Sequence, residues 1–397
     1  MKVSGIICEY NPFHNGHLYH IRETRKNGAT HIVAVMSGSF VQRGDTAIMD
    51  KLERARLAVR SGADLVIELP VQYCLSSAEN FASGAVYLLN ALGAVDELSF
   101  GSECGDAQRL REAMETVGVT AAAHAEEIKS IMEKGYTYPR ALTSVMNGID
   151  PEAASIIAEP NNLLAIEYLR ALKKFGSDIQ PFTVKRVNAD HDSSKTENGY
   201  ASASCIREMI EKKADIREFT TTEWAAAISA AISRGEIASL SRLERVILYK
   251  LRSSSVEEIS QVYDVGQGLE HRIYGARMAG SLDELLFTVK TKRYTMARIR
   301  RIMLSLLIGI TKDDMKNLPP YGRILAFNER GREILARAKD SAKIPFASSI
   351  AKLSQLGSQA ERFAELEIRA SDIYGLSLET VTSAQKDYRA KIMIDME

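Results

Sequence analysis

The sequence has few of the residues that mark disulfide-linked, metal-binding or membrane proteins. Its four cysteines, Cys8, Cys74, Cys104 and Cys205, lie far apart and form no Cys-x-x-Cys pair, so neither a zinc knuckle nor a redox dithiol is indicated. No stretch approaches the roughly 20 apolar residues needed to cross a bilayer, and Glu9 interrupts the short apolar run at the N-terminus. We therefore expect reduced thiols in a soluble, cytoplasmic protein with no membrane partner.

The chain also lacks a net charge, because 51 basic residues are balanced by 51 acidic ones. Global charge therefore neither requires nor excludes a nucleic-acid partner, and any basic surface has to be local. The length of 397 residues allows two or three domains, and contents of 45% hydrophobic and 26% charged residues are ordinary for a globular protein.

Short apolar runs alternate with helical patterns in the first half of the chain. The predicted strands are Val3–Cys8, His31–Met36, Asp64–Leu69, Glu97–Phe100 and Pro181–Val187. The predicted helices between them are His17–Lys26, Met49–Ser61, Ser77–Leu92, Ala107–Val117 and Leu163–Phe175. This alternation predicts an α/β fold with a doubly wound parallel sheet, in which ligands bind beyond the carboxyl ends of the strands. The loops that begin near Glu9, Ser37, Pro70 and Gly101 should surround one crevice.

The pattern changes after residue 221. The later part has the pattern of amphipathic helices over Glu223–Arg234, Leu240–Arg252, Arg298–Ile310, Gly331–Asp340 and Ser358–Tyr374. We therefore predict a Rossmann-like catalytic domain over residues 1–221 and a mainly α-helical domain over residues 222–397. Within the first domain, the polar stretch Asn188–Tyr200 separates the last predicted strand from Ala201–Glu211 and is typical of a mobile loop that could cover the crevice.

The first motif that carries chemistry is Asn11-Pro12-Phe13-His14-Asn15-Gly16-His17, which follows the first strand and opens a helix. Gly16 allows a ligand to approach the backbone, and the helix start offers free N–H groups to phosphate. His14 and His17 can donate hydrogen bonds to phosphate oxygens as charge shifts in a transition state. The alternative is that both are ordinary polar residues of a helix cap. The motif predicts catalytic roles for His14 and His17.

His14-Asn15-Gly16-His17 resembles the His-x-Gly-His signature of nucleotidylyltransferases and class I aminoacyl-tRNA synthetases. Ala201-Ser202-Ala203-Ser204-Cys205-Ile206-Arg207 resembles a second motif of that superfamily, which caps a helix against the triphosphate. Ser202 or Ser204 is a good N-cap by itself, which is the structural alternative, and Arg207 can reach phosphate. We predict that Ser202 and Arg207 bind ATP.

Further segments narrow the resemblance. These segments are Met36–Gly44, Asp50-Lys51, Arg54, Gly101-Ser102-Glu103, Asn161–Tyr168, Lys185-Arg186 and His191-Asp192. Together they closely resemble the bacterial tRNA(Met) cytidine acetate ligase family, and the resemblance extends over essentially the whole chain. The resemblance implies that ATP activates acetate as acetyl-adenylate and that the acetyl group passes to N4 of the wobble cytidine of elongator tRNA(Met). Magnesium would arrive with ATP, since the sequence shows no cluster of metal ligands.

Carried onto this chain, the resemblance implies an ATP site made of Ile7, Cys8, Glu9, Tyr10, Asn11, Pro12, Phe13, His14, Asn15, Gly16, His17, Leu18, Tyr19 and His20, with Gly101, Asn161 and Arg186. A side chain at Gly101 would obstruct a nucleotide, Asn161 at a helix cap can bind an adenine or ribose edge, and Arg186 supplies positive charge. Their alternatives are a turn residue, a simple N-cap and a surface ion-pair partner. No residue set identifies an acetate pocket, and Cys8 and Cys205 are given no chemical role.

The clearest nucleic-acid signal is the run from Lys290 to Arg301, which holds six basic residues, one aromatic and no acidic residue. A helical stripe that includes Ile299 and Ile302 should face the core, which would leave Arg298, Arg300 and Arg301 outward. Phosphates are the expected partner, and Tyr294 could stack on an unpaired base. The predicted tRNA-binding residues are Lys290, Lys292, Arg293, Tyr294, Arg298 and Arg301. The alternative is a solvated helix face.

Two other functions remain open from the sequence. A small-molecule nucleotidylyltransferase that makes a dinucleotide cofactor would share the first motif but leave the helical half unexplained. A tRNA-binding protein with a vestigial nucleotide site would not need the intact His14, Gly16, His17 and Arg207.

Overall fold

The computed structural model describes residues 1–186 and 199–390, together with the backbone of a short strand at 393–394. The strands in this part of the chain are β1 (Val3–Cys8), β2 (His31–Ser37), β3 (Phe40–Val41), β4 (Asp45–Thr46), β5 (Leu65–Leu69), β6 (Glu97–Ser102), β7 (Gln180–Lys185), β8 (Gly322–Phe327), β9 (Phe346–Ala347) and β10 (Met393–Ile394).

Helices cover most of the rest. Those of the first half are α1 (Asn15–Lys26), α2 (Lys51–Arg60), α3 (Val71–Cys74), α4 (Ala78–Leu92), α5 (Ala107–Ala123), α6 (Ala125–Glu133), α7 (Tyr138–Asn147), α8 (Pro151–Ala158), α9 (Pro160–Lys174) and α10 (Ala203–Glu211). Those of the second half are α11 (Thr222–Ser233), α12 (Glu244–Ser253), α13 (Val256–Gln261), α14 (Leu269–Gly275), α15 (Leu282–Val289), α16 (Met296–Ile308), α17 (Glu329–Ala338), α18 (Ile350–Leu353), α19 (Ser358–Gly375) and α20 (Lys386–Arg389). Short 3₁₀ turns lie at Leu240–Leu243, Ala276–Met278, Asp313–Met315 and Ser354–Leu356.

The main sheet has the strand order β10-β8-β5-β2-β1-β6-β7, and β9 pairs with β8. Strands β5, β2, β1, β6 and β7 run parallel, so their carboxyl ends meet at one edge. The chain moves from β1 to β2 in one direction and to β6 in the other, which makes the gap beyond β1 and β6 the topological switch point where ligands bind in such folds. The predicted α/β fold with a doubly wound parallel sheet is confirmed, and the five predicted strands are all present.

Strand β8 was not anticipated from the sequence. It comes from the second half of the chain and pairs antiparallel with β5, from Leu65 opposite Phe327 to Glu68 opposite Arg323. The helical half thus contributes an edge to the sheet of the first half. The boundary between residues 221 and 222 stays a prediction, and the predicted covering loop Asn188–Tyr200 lies outside the described residues except for its last two positions.

Apolar side chains form a core on each face of the sheet and a third core among the C-terminal helices. The third core also contains Phe40, Val71 and Leu75, which follow β2 and β5. The loops at the carboxyl edge of the sheet are therefore anchored in the second half of the chain. In the described part of the chain, no helix is both long and apolar enough to span a membrane.

A buried ionic network fastens the end of the chain to the sheet. Lys51 Nζ lies 2.5 Å from Glu68 Oε1 and 2.8 Å from Asp387 Oδ2. Arg323 lies 3.0 Å from Glu68 and 2.7 Å from Asp387, and all four side chains are almost fully buried. Burial and the neighbouring Glu68 raise the pKa of Glu367, a further member, well above its usual range. Such a network costs several kcal/mol when one partner is removed, because a buried charge is left unpaired.

Candidate active site

The turn after β1 holds two histidine rings against each other at the start of α1. His14 is the N-cap, and its Nδ1 accepts the N–H of Gly16 at 3.1 Å. The Nδ1 of His17 accepts the N–H of His14 at 3.2 Å, and the two ring centroids are 3.8 Å apart. Each ring thereby satisfies a backbone donor at the helix start, in the reciprocal manner of a capping box.

This arrangement determines which nitrogen of each ring can act on a ligand. Since Nδ1 accepts a hydrogen bond, the neutral ring carries its proton on Nε2. Burial lowers the pKa of His17 well below its ordinary value, and the positive potentials of His14, Arg186 and His20 lower it further. Burial and Arg186 lower the pKa of His20 to about 4. His17 therefore offers a neutral Nε2–H donor at neutral pH.

The stretch that leads into α11 supports the motif from its buried side. Phe13 is fully buried and stacks on Trp224, with ring centroids 5.5 Å apart. The hydroxyl of Thr220 donates to the carbonyl of Phe13 at 2.7 Å, and the N–H of Asn15 donates to the carbonyl of Phe219 at 2.9 Å. Sequence reasoning missed this support, although Trp224 is the only tryptophan of the chain.

Two predicted glycines serve different purposes. A Cβ on Gly16 would lie 2.8 Å from Cε1 of His14, so a side chain there would displace the ring. A Cβ on Gly101 would lie 3.5 Å from Cγ of Arg186, which is an ordinary contact. The protein itself therefore requires glycine at position 16, whereas at position 101 glycine keeps space open in the cavity beside it.

A cavity of about 600 Å³ lies beyond the carboxyl ends of β1 and β6. The predicted site residues that line it are Ile7, Cys8, Glu9, Tyr10, Asn11, His14, Gly16, His17, Tyr19, His20, Gly101, Asn161, Arg186, Ser202 and Arg207. Four predicted residues, Pro12, Phe13, Asn15 and Leu18, are not among its lining. Two of them support the turn instead: Phe13 stacks on Trp224, and Asn15 Nδ2 donates to the carbonyls of Gly199 and Glu218 at 2.8 Å each.

The cap of α9 differs from the prediction. Asn161 is not the N-cap, because Glu159 holds that position and Pro160 begins the helix. The carboxylate of Glu103 caps the helix from outside, accepting the N–H of Asn162 at 2.8 Å and Nδ2 of Asn161 at 2.5 Å. This pairing fixes the Asn161 amide at the cavity wall, beside the end of β6.

The second superfamily motif joins the same site. Ser202 is the N-cap of α10, and its Oγ accepts the N–H of Cys205 at 3.2 Å and lies 2.9 Å from Oγ of Ser204. Arg207 donates from Nη1 to the carbonyl of Asn11 at 2.7 Å. The start of α10 and the turn after β1 therefore form adjacent walls of one cavity.

The glycine-rich segment after β2 is a small antiparallel hairpin formed by β3, β4 and their turn. The Glu9 carboxylate accepts the N–H of Gln42 at 2.7 Å and the hydroxyl of Ser37 at 3.2 Å. The guanidinium of Arg54 is fully buried and donates to the carbonyls of Glu9 at 2.6 Å and Ser37 at 3.0 Å. The carboxyl ends of β1 and β2 are thus held together below the cavity.

The predicted tRNA-binding run is only partly on the surface. Lys290 and Lys292 are exposed and Arg293 is half-buried. Tyr294 is 8% exposed and belongs to the C-terminal core, so the prediction that it stacks on a base is wrong.

The three arginines predicted to face outward, Arg298, Arg300 and Arg301, are all at least partly buried. Arg298 is half-buried and lies 2.9 Å from Asp264, and the buried Arg301 lies 3.8 Å from the same carboxylate. Arg301 also donates to the carbonyl of Gln42 at 3.1 Å. The run contains no acidic residue, but the fold supplies one from the segment before α14.

Several cavity residues were not predicted. An apolar wall includes Val41 from β3, Ala78 and Phe81 from α4, and Tyr168 from α9, and no single sequence pattern joins these three elements. Charged residues that were missed as cavity lining include Asp45 and Arg300. Among the residues that the structure describes, no group of three or more His, Cys, Asp or Glu side chains is placed to hold a metal ion.

Comparisons with known proteins agree with this geometry. A family model described as HIGH Nucleotidyl Transferase matches residues 1–389. The tRNA(Met) cytidine acetate ligase of Thermoanaerobacter sp. (strain X514) is 40% identical over 402 residues, which covers 98% of each chain. The ligase of the same name from Acetivibrio thermocellus is 38% identical and covers 94% of each chain.

Two solved structures share the fold over the full length of both chains. The crystal structure of Thermotoga maritima TmcAL in its apo form I superposes with a TM-score of 0.93 at 30% sequence identity. The crystal structure of the same protein bound with alpha-thio ATP has a TM-score of 0.91, also at 30% identity.

Proposed function

The chain belongs to the tRNA(Met) cytidine acetate ligase family of HIGH nucleotidyl transferases, and from this premise we propose that it is an ATP-dependent ligase that acetylates N4 of the wobble cytidine of elongator tRNA(Met). The observation that carries the proposal is the pair of adjacent imidazoles, His14 and His17, on the wall of a cavity at the switch point of the sheet. The chain covers nearly the whole length of its relatives, so the same set of parts is available to it.

In the first step, an oxygen of acetate attacks the α-phosphorus of ATP. The bond from that phosphorus to the oxygen bridging the β-phosphate breaks, and pyrophosphate leaves. Nε2–H of His17, with the His14 ring beside it, donates to phosphate oxygens whose negative charge shifts during the step. Hydrogen-bond donors that the fold already holds in place in a partly buried site stabilise a transition state more than mobile donors in water do.

In the second step, the N4 amine of cytidine attacks the carbonyl carbon of acetyl-adenylate. The bond from this carbon to the AMP oxygen breaks, AMP leaves, and N4 loses one proton to solvent. No covalent enzyme intermediate is required, which accounts for a site without an activated nucleophile. Burial raises the pKa of the Cys8 thiol far above its usual range, so Cys8 is unsuited to act as one.

Magnesium enters this scheme as part of the substrate, bound to ATP. The described residues hold no three-ligand group for a resident ion, and Mg²⁺ commonly binds through substrate phosphates and one or two carboxylates. In the proposal the reaction takes place in the cytoplasm, where both ATP and tRNA are found.

The proposed tRNA surface is smaller than the sequence suggested. It keeps the exposed Lys290 and Lys292 and the half-buried Arg293, and it omits Tyr294 and the two arginines paired with Asp264. The Nζ of Lys292 lies 5.9 Å from the ring of Tyr136, which belongs to the helical segment between β6 and β7. Residues 222–397 with this segment would bind the tRNA body, while the acceptor cytidine enters the cavity.

The test is acetate-dependent exchange of labelled pyrophosphate into ATP, measured without and with tRNA, followed by transfer of labelled acetyl to tRNA(Met). We expect exchange that requires acetate and product that requires both tRNA and ATP. Exchange driven by a nucleotide monophosphate but not by acetate would instead indicate a small-molecule nucleotidylyltransferase. Tight tRNA binding without any exchange would indicate a tRNA-binding protein with a vestigial nucleotide site.

A further inference from the structure

One arginine of the C-terminal half lies in the nucleotide cavity. Arg300 is on α16 and lines the same cavity as His14 and Arg207, which belong to the first half of the chain. The backbone of the hairpin turn packs closely against the start of the Arg300 side chain, because a Cβ on Gly44 would be 2.7 Å from Cβ of Arg300. With φ of +71°, Gly44 adopts a backbone conformation that favours glycine, so the turn is built for this approach.

Arg300 differs from its neighbours on the helix in its partners. Arg298 and Arg301 both pair with Asp264. The Nε atoms of all three arginines are buried without a hydrogen-bond partner among the described residues, so this atom does not distinguish them. The difference is that Arg298 and Arg301 have a carboxylate partner, whereas no ion pair joins Arg300 to a described residue. A partly buried guanidinium without a counter-ion is costly, and it is expected where an anionic ligand completes its bonding.

The charges around the cavity favour a polyanion. Its lining contains five basic side chains, Arg43, Lys185, Arg186, Arg207 and Arg300, and two acidic ones, Glu9 and Asp45. The carboxylate of Glu9 already accepts hydrogen bonds from Ser37 and Gln42. Burial raises the pKa of Asp45, while the positive charges of Arg207 and Arg300 act to lower it. Asp45 thus leaves most of the positive charge uncompensated.

We propose that Arg300 binds the β- and γ-phosphates of ATP from the C-terminal half, so that the ATP site is complete only when α16 is packed on the hairpin. The assignment to ATP rests on the proposed function. Arg207 and Arg300 are the two side chains that act electrostatically on Asp45, and the motif of Arg207 resembles a triphosphate-binding motif. A guanidinium can hold phosphate oxygens through two parallel N–H groups, which suits the leaving pyrophosphate.

The experiment compares Arg300→Gln and Arg300→Lys with Arg330→Gln, an exposed arginine on α17 away from the cavity. We expect Arg300→Gln to raise the Kd for ATP and the KM for pyrophosphate by about 10- to 100-fold, the loss typical of a hydrogen bond to a charged group. The Kd for AMP, which lacks the outer phosphates, should be unchanged. Arg300→Lys should recover part of the ATP affinity, and Arg330→Gln should match the parent protein.

Three results would contradict the proposed role of Arg300. Equal weakening of AMP and ATP, or unchanged ATP binding in a folded Arg300→Gln protein, would overturn the inference. A raised KM for tRNA with an unchanged KM for ATP would also overturn it, by assigning Arg300 to a phosphodiester of the tRNA. If the parent protein shows no acetate-dependent exchange and yet Arg300→Gln weakens ATP selectively, the proposed function fails while the role of Arg300 at the phosphates stands.

Discussion

The rings of His14 and His17 lie 3.8 Å apart, and each uses Nδ1 to accept a backbone N–H at the start of α1. Helix capping thus uses Nδ1 of each ring, and the phosphate binding that we propose would use Nε2. Because the two tasks are on different atoms, substitutions can remove one and keep the other.

His17→Glu separates the two tasks. Glutamate at the third helical position can still accept the N–H of residue 14, as in an ordinary capping box, but its ionised carboxylate has no N–H to offer phosphate. We expect pyrophosphate exchange to fall by about 100-fold or more, with the cap retained and tRNA affinity nearly unchanged. His17→Ala is the matched comparison, since it should lose the activity and also about 0.5–2 kcal/mol of stability with the cap. A His17→Glu protein with normal exchange would show that the ring serves only the fold.

The stability of the protein should fall in mild acid because of His20. Its pKa is about 4 in the folded protein and about 6.5 in an unfolded chain, so the unfolded chain binds the proton first. The contribution is fully present above pH 6.5 and is lost as the pH falls toward 4. A shift of this size corresponds to about 3 kcal/mol.

Urea unfolding at pH 7, 6 and 5 measures this effect. The parent protein should lose more free energy of unfolding between pH 7 and pH 5 than His20→Gln, which lacks the contribution of His20 and keeps that of His17. Equal losses in the two proteins would remove His20 as a source of the acid sensitivity.

Gly101→Ala tests whether the space beside β6 belongs to the nucleotide. A methyl group there would approach Arg186 only to an ordinary 3.5 Å, so the melting temperature should stay within about 2 °C of the parent value. ATP affinity should drop about 10-fold or more, because the methyl group enters the cavity. Gly148→Ala is the control, since its Cβ would meet nothing closer than 3.5 Å and it lies outside the cavity. Unchanged ATP binding in Gly101→Ala would move the nucleotide away from β6.

Two kinds of basic residue in the run from Lys290 to Arg301 should behave differently. Replacing the exposed Lys290 and Lys292 with Ala should weaken tRNA binding and reduce the slope of log affinity against log salt by about 0.7–0.9 for each phosphate that the protein no longer neutralises. Lys339→Ala, at an exposed lysine at the end of α17, is the control. An unchanged salt slope in the double variant would take these lysines out of the RNA surface.

Arg301→Ala should instead destabilise the fold. It removes a partner of the buried side of Asp264 and the bond to the carbonyl of Gln42, which should lower the free energy of unfolding by about 1–3 kcal/mol. Denaturant unfolding checks this value. A fully stable Arg301→Ala protein with weakened tRNA binding would contradict the assignment of this arginine to the packing of α16.

The strands of the catalytic sheet could be predicted from the sequence because their signal is local. A parallel strand buried on both faces is a continuous apolar run, and β1 lies at the predicted residues. The apolar stripe of α16 that contains Ile299 and Ile302 was likewise correct, since helical periodicity is a property of one segment. The His-x-Gly-His turn was found for the same reason.

What escaped prediction depends on pairs of residues distant in the chain. The pattern of α16 alone places Arg301 outward, but Asp264 and the hairpin lie on that side and bury it. Strand β8 is recognisable only through its pairing with β5. The position of the Asn161 amide is likewise recognisable only through its hydrogen bond to Glu103. The pattern of apolar and polar residues within one segment contains no information on such contacts between distant residues.

The pairing of β8 with β5 and the burial of Lys51 beside Asp387 also make the folding of the first half depend on residues that are translated later. As the chain leaves the ribosome, the edge of β5 stays unpaired and Glu68 lacks Arg323 until residues 322–327 have emerged. Lys51 lacks Glu367 and Asp387 until those residues follow. The sheet of the first half is thus completed by residues of the second half. A nascent chain or a proteolytic fragment that ends before α20 keeps an incompletely neutralised ionic network, and one that ends before β8 keeps an open strand edge as well. Both defects favour aggregation and degradation over a partly working enzyme.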